Sequence, residues 1–160
     1  MWGMSLDSAW VRWWRDDMRA LAERINGGFQ ERYGFAPGEH RTGGPAADEE
    51  WPGVPEDLAI FYSVVGEVSL PDVHVGYWVH RPPLDGFPEA LSDGRRIVVF
   101  GTDGGGGMFA LPDAGKPVLH LVEGGLHDGV HDADHVTEVA ADLSEFLVFL
   151  HRQAADTAGD

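Results

Sequence analysis

Three apolar runs, "RIVVFG" (96–101), "MFAL" (108–111) and "VLHLV" (118–122), follow one another with only "TDGGGG" and "PDAGKP" between them. Runs this short, rich in β-branched and aromatic residues and bounded by Gly, Pro and Asp, read as strands joined by tight turns, which is a β-meander. Two further strand-like runs precede it, "EVSL" (67–70) and "HVGYWVH" (74–80), separated by Pro71-Asp72, with residues 81–95 as a proline-containing excursion. Residues Val136 to Val139 form a short terminal strand after the loop "EGGLHDGVHDADH". A sheet of about five or six strands must then cover at least one face.

The cover comes from three helical patterns. Trp10, Trp14, Met18, Leu21 and Ile25 recur at three- and four-residue steps within residues 5–25, with Ser5 or Asp7 as N-cap and Trp13 off the stripe. Asn26-Gly27-Gly28 is expected to stop this helix, since these residues accept left-handed backbone angles. Residues 33–50, "YGFAPGEHRTGGPAADEE", show no apolar period and read as a mobile loop or linker. A second helix begins at Pro55, with Glu56 and Asp57 facing the positive end of the dipole, Leu58, Phe61, Tyr62 and Val65 on one face, and Gly66 at its end. Residues 142–154 close the chain with Leu143, Phe146, Leu147 and Leu150 on one face. The expected fold class is α+β, a single domain with a mixed or antiparallel sheet flanked by about three helices. Its parts are an N-terminal helix and Gly/Pro-rich loop (1–50), a core (51–154) and a C-terminal tail (155–160).

The 160 residues suffice for one core, burying roughly 68–70% of the unfolded chain's surface. With no cysteine, disulfides, thiolate metal sites and cysteine nucleophiles are excluded. Apolar runs fall far short of the roughly 20 residues that cross a bilayer, and Asp7, Arg12, Arg15, Asp16 and Asp17 break up any N-terminal leader pattern, so a cytoplasmic location is expected. Net charge is −16 and unevenly spread. Four Arg balance four acids over residues 1–25, whereas residues 101–160 set two basic side chains against eleven acids. With a single lysine, Lys116, the chain has no basic cluster with which to neutralise phosphates, which argues against direct nucleic-acid binding. An acidic surface either keeps the chain soluble or meets a basic protein.

The residues offer little bond-making chemistry. Gly101-Thr102-Asp103-Gly104-Gly105-Gly106-Gly107 has the glycines of a phosphate loop but not the Lys and Ser or Thr that must follow them on a helix. It reads as a hairpin whose glycines supply positive φ and admit another backbone. His127, His131 and His135 stand four residues apart among Asp128, Asp132 and Asp134, a spacing that would align three imidazoles on a helix. Gly125 and Gly129 oppose that helix, so a solvated polar loop is expected, with no metal and no cofactor. No G-x-S-x-G or H-E-x-x-H occurs, and the paired carboxylates Asp16-Asp17, Glu49-Glu50 and Glu56-Asp57 are sequence neighbours that a helix points apart. Large amphipathic side chains stand beside the acids: Trp51 just before a helix, and Tyr77 and Trp78 on opposite faces of one strand. Such aromatics anchor protein partners when exposed; covered faces would bury both.

In order, "WPGVPEDLAIFYSVVGEVSLPDVHVGYWVH" (51–80), "VVFGTDGGGGMFAL" (98–111), "PVLHLVEG" (117–124) and "LSEFLVFL" (143–150) resemble the SUKH superfamily in its Smi/Knr branch, over roughly residues 51–152. The resemblance lies in the sequence of parts: a Trp before a P-x-D-L helix, a strand pair, a strand leading to a Gly- and Asp-containing turn, an aromatic-bearing strand and a closing helix with "EFL". It implies a curved central sheet with flanking helices, no enzymatic activity and a binding role. Bacterial members of that family are commonly immunity proteins that neutralise cognate toxins, many of them nucleases or deaminases, and fungal members are regulatory hubs. The matching positions are Trp51, Pro55, Asp72, Tyr77, Asp103 and Gly104, Gly105 and Gly106. Pro55 and the three glycines are expected to shape turns. A partner surface is expected from Trp51, Asp72, Tyr77, Trp78 and Asp103, with Asp128, Asp132 and Asp134 from the acidic stretch 123–145. A basic, nuclease-type toxin domain is the expected partner; a regulatory or scaffold adaptor of the same fold is the alternative, and a metal-dependent hydrolase on the His/Asp loop a third.

Overall fold

The computed structural model describes residues 6–36, 38–47, 53–82, 89–122, 126–127, 130–131 and 136–159. Helix α1 runs Ser8–Tyr33 and is started by Asp7, whose side chain accepts from the Ala9 N–H at 2.9 Å. It does not stop at Asn26-Gly27-Gly28 but continues to a left-handed cap at Gly34, which donates to Gln30 O at 2.8 Å. The reason lies on either side of the glycines. Val11, Trp14, Met18, Leu21, Ile25 and Phe29 form one unbroken buried stripe. Two interior glycines cost about 1 kcal/mol each against alanine, while burying Phe29 alone returns about 1.5–3 kcal/mol.

Helix α2, Glu56–Tyr62, buries Leu58, Phe61 and Tyr62; Pro55 stands at its N-cap with extended backbone rather than as its first helical residue. The helix ends before Val64 and Val65, which are buried in the turn that follows. Helix α3, Leu143–Ala158, is capped by Asp142, which accepts from Glu145 N–H at 2.9 Å, and it extends the expected closing helix through most of the supposed tail. Its added turn packs the half-buried Ala155 and Ala158 against the main cluster. No helix among the described residues is long and apolar enough to cross a membrane.

Ten strands are found among the described residues. Six lie on expected runs: β2 (Val68–Leu70), β3 (Tyr77–Val79), β5 (Arg96–Asp103), β6 (Met108–Pro112), β7 (Val118–Leu121) and β10 (Val136–Ala140). The others, β1 (Arg41–Thr42), β4 (Glu89–Leu91), β8 (Leu126–His127) and β9 (Val130–His131), are two- or three-residue pieces too short to carry an alternation. The meander is present as β5, β6 and β7, antiparallel in succession, with β10 added on β7. β5 is the spine. One edge pairs along its length with β6, and the other is shared by β4, opposite Arg96 and Ile97, and β3, opposite Gly101 to Asp103. β2 and β1 continue outward from β3, while β9 pairs with β4 in parallel and β8 with β9. Thus the segment 123–135, expected to be a polar loop, contributes two short strands.

Alternation along β5 divides the core. Val98 and Phe100 face the three helices in the main cluster, with Phe109, Leu111, Phe61, Trp14 and Phe146. Ile97 joins Leu91, Ala110, Leu119 and Leu121 in a smaller cluster on the other face, against which Val99 packs. The N-terminal helix therefore belongs to the same core as the sheet. Its indole Trp14 Nε1–H donates to Leu147 O at 2.8 Å, satisfying the polar atom of a fully buried ring. This is an α+β architecture.

The segment after α1 is fastened rather than a bare linker. Within it β1 pairs with β2, and His40, Thr42 and Ala46 are buried. Arg81 clamps it by donating to Glu67 Oε2 at 2.6 Å and to Gly44 O at 2.9 Å. The Arg81 hydrogen bond, opposed by burial and aided by the charges of Arg81 and Arg41, holds the Glu67 carboxyl below the usual range.

Candidate functional site

Two turns meet at one end of the sheet. β5 ends in Asp103, and the chain reverses through Gly104 to Gly107 into β6. Asp103 closes this turn with its own side chain: Oδ1 accepts from the N–H groups of Gly105 and Gly107 at 2.9 and 2.8 Å. Its Oδ2 lies 2.8 Å from His120 Nε2. His120 reaches it because it sits opposite Phe109 in the β6–β7 register. Burial, the largest single influence, pushes the Asp103 carboxyl up, but the Gly107 N–H, the His120 ring and the Gly105 N–H together outweigh it, and the group lies below its ordinary value. Three donors thus already engage the Asp103 carboxylate.

The glycine requirement is steric. A Cβ on Gly104 would overlap the Val75 carbonyl oxygen, and the Gly104 N–H donates to Gly76 O at 3.1 Å. A Cβ on Gly107 would stand 2.7 Å from Asp103 Oδ2 and run into the His120 ring. This is the expected hairpin, in which another backbone comes close, with Gly106 supplying a φ of 89°.

Tyr77 is the register partner of Asp103 across β3 and β5. Its ring lies 5.6 Å from Phe149 and 6.4 Å from Phe109. Burial, and then the Asp103 charge, raise its phenol pKa, so the hydroxyl keeps its proton. Trp78 points to the opposite face, its ring against Gly76, and both aromatics are half-buried. On that face His80 Nε2 lies 2.9 Å from Thr102 Oγ1.

Asp72 begins the neighbouring turn. Its Oδ2 accepts from the Gly38 N–H at 2.7 Å, and its own N–H donates to His40 Nε2 at 3.1 Å. His40 Nδ1 in turn donates to Asn26 Oδ1 at 2.9 Å. With Nε2 accepting and Nδ1 donating, the ring is neutral, and burial lowers its pKa against the opposing influences of Asp72 and the Gly38 backbone. A polar chain thus ties the C-terminal third of α1 to the β2–β3 turn.

Of the sequence candidates, Tyr77, Asp103 and Gly104 to Gly106 come together, with the Asp72 turn joined to them through the Gly76–Gly104 hydrogen bond. Trp78 lies on the far face, and Pro55 caps α2. Trp51, Asp128, Asp132, Asp134 and His135 lie outside the described residues, as do the side chains of His127 and His131. Among the described residues no three His, Asp or Glu side chains gather as metal ligands. His120 was legible in part, since two-residue alternation from Val118 places it on the helix-covered face. His40 and Asn26 had no such signal: one lies in a stretch without period and the other beside glycines. No protein-family model, curated protein or solved structure matches this chain.

Proposed function

We propose that this chain is a non-enzymatic protein-binding module of the SUKH type, an immunity protein that binds and neutralises a basic, nuclease-type toxin domain. The observation that carries the reading is the charge distribution: two basic side chains against eleven acids over residues 101–160, in a chain of net charge −16. The α+β architecture and the order of α2, a strand pair, the Asp103 turn and α3 agree with the resemblance. The engagement of Asp103 by three donors suits a rigid surface better than a reacting centre.

Opposite charge steers such partners together, and salt removes the steering. The test is stopped-flow association with the products of the genes flanking this chain's own, among which the reading expects a basic toxin domain. Between about 20 mM and about 500 mM salt the association rate should fall at least tenfold. A rate indifferent to salt, or the failure of every flanking product to bind, overturns the reading.

A further inference from the structure

The C-terminal ends of α1 and α3 meet, Arg32 Nη1 donating to Thr157 O at 3.3 Å, and the β2–β3 turn stands beside them. Between these three elements lies an open cleft of about 460 Å³, within the range of binding pockets. Three rings form one wall. Phe29 is buried, with Tyr33 4.6 Å and Phe35 5.4 Å from it, and Tyr33 and Phe35 are 6.4 Å apart. Yet Tyr33 is 48% exposed and Phe35 59% exposed. Asp72 and Asp156 line the same cleft, and both helices present their negative dipole ends to it. Among the described residues lining it the one Arg or Lys is Arg32, whose guanidinium sits 5.9 Å from the Tyr33 ring centroid.

We infer that this cleft receives an arginine side chain presented by the basic protein partner. An aromatic face attracts a guanidinium within about 6 Å, and Arg32 already occupies one such face from within the chain. Two carboxylates and two helix C-termini against that single Arg leave the cleft net negative, so an anionic occupant is disfavoured and a second guanidinium is favoured. The occupant is thereby a cation with a flat face, which distinguishes it from lysine. The inference rests on the proposed reading only in taking the arginine from a protein.

The test is an NMR titration of the full chain with the blocked peptide acetyl-Gly-Arg-Gly-amide, beside the same peptide carrying citrulline, which keeps the shape and loses the charge. Saturable shifts are expected for residues 29–35, 71–74 and 156–158, with the citrulline peptide at least tenfold weaker. Phe35→Ala and Asp156→Asn, both at exposed side chains, should each weaken the arginine peptide several-fold while leaving the fold unchanged. Equal binding of arginine and citrulline peptides, or shifts scattered over the acidic surface, overturns the inference. If the arginine peptide fails while the toxin domain binds with steep salt dependence, this cleft assignment alone falls. If the peptide saturates the cleft and no basic domain binds, the cleft stands and the immunity reading falls.

Discussion

His40 is the least expected side chain of the fold, a histidine 4% exposed within a stretch rich in Gly and Pro. Its folded pKa is lowered, first by burial, from the ordinary 6.5. The unfolded chain therefore takes up the proton first as pH falls, and the stability that neutral His40 contributes is complete above about 6.5 and drains away below it, toward the lower folded value. Thermal melts should show the midpoint falling from pH 7 to about pH 5.5, ahead of the carboxylates, and His40→Gln should flatten that slope. Asp103 follows the opposite assignment of charge. Its lowered carboxyl contributes stability above its ordinary 3.8 that is lost as pH falls through the folded value. Asp103→Ala strips an acceptor from two backbone N–H groups and from His120, and urea unfolding should register a loss of about 1–3 kcal/mol. A loss below a few tenths would mean that the turn closes without it.

At the scale of elements, patterns that repeat were legible and single contacts were not. The long strands β5, β6 and β7 announced themselves through several alternating residues and bounding turns, whereas β1 and β8 have two residues each and are fixed by the strands they lie against. The glycine pair in α1 misled for a related reason. Local preference favours a stop at Asn26-Gly27-Gly28, but Ile25 and Phe29 on either side are both buried against the rest of the molecule, and that packing outweighs it. Neither glycine adopts a positive φ, and a Cβ on either meets nothing within 4 Å. Gly27→Ala should therefore stabilise the protein by about 0.5–1 kcal/mol, seen as a higher urea midpoint with an unchanged slope. Destabilisation by that substitution would restore the broken-helix expectation. The candidate site was read half-way: the Asp103 hairpin followed from its glycines, while the Asn26–His40–Asp72 connection joins residues far apart in sequence and leaves no local mark.

Over the whole molecule, an excess of acids acts on folding as well as on partners. With a net charge of −16, the compact state confines like charges that the unfolded chain spreads apart. Added salt screens that repulsion over a Debye length of about 10 Å at 0.1 M. The melting midpoint should rise between about 10 mM and about 300 mM sodium chloride while the association rate with a basic partner falls, opposite responses to one cause. A midpoint that falls with salt would show that ion pairs such as Arg81–Glu67 outweigh the global repulsion. The α+β class and the helix-covered sheet were legible because they depend on such averages over many residues.

The shared edge of β5 has a further consequence. Because β3 and β4 divide one side of that strand and β6 occupies the other, Ile97, Gly101 and Thr102 are paired on both sides, and the strand's side chains feed both apolar clusters. Opening it requires parting the whole structure rather than fraying a rim. In heavy water, deuterium should therefore enter last at the amides of Ile97, Gly101 and Thr102, and their exchange should report the free energy of complete unfolding.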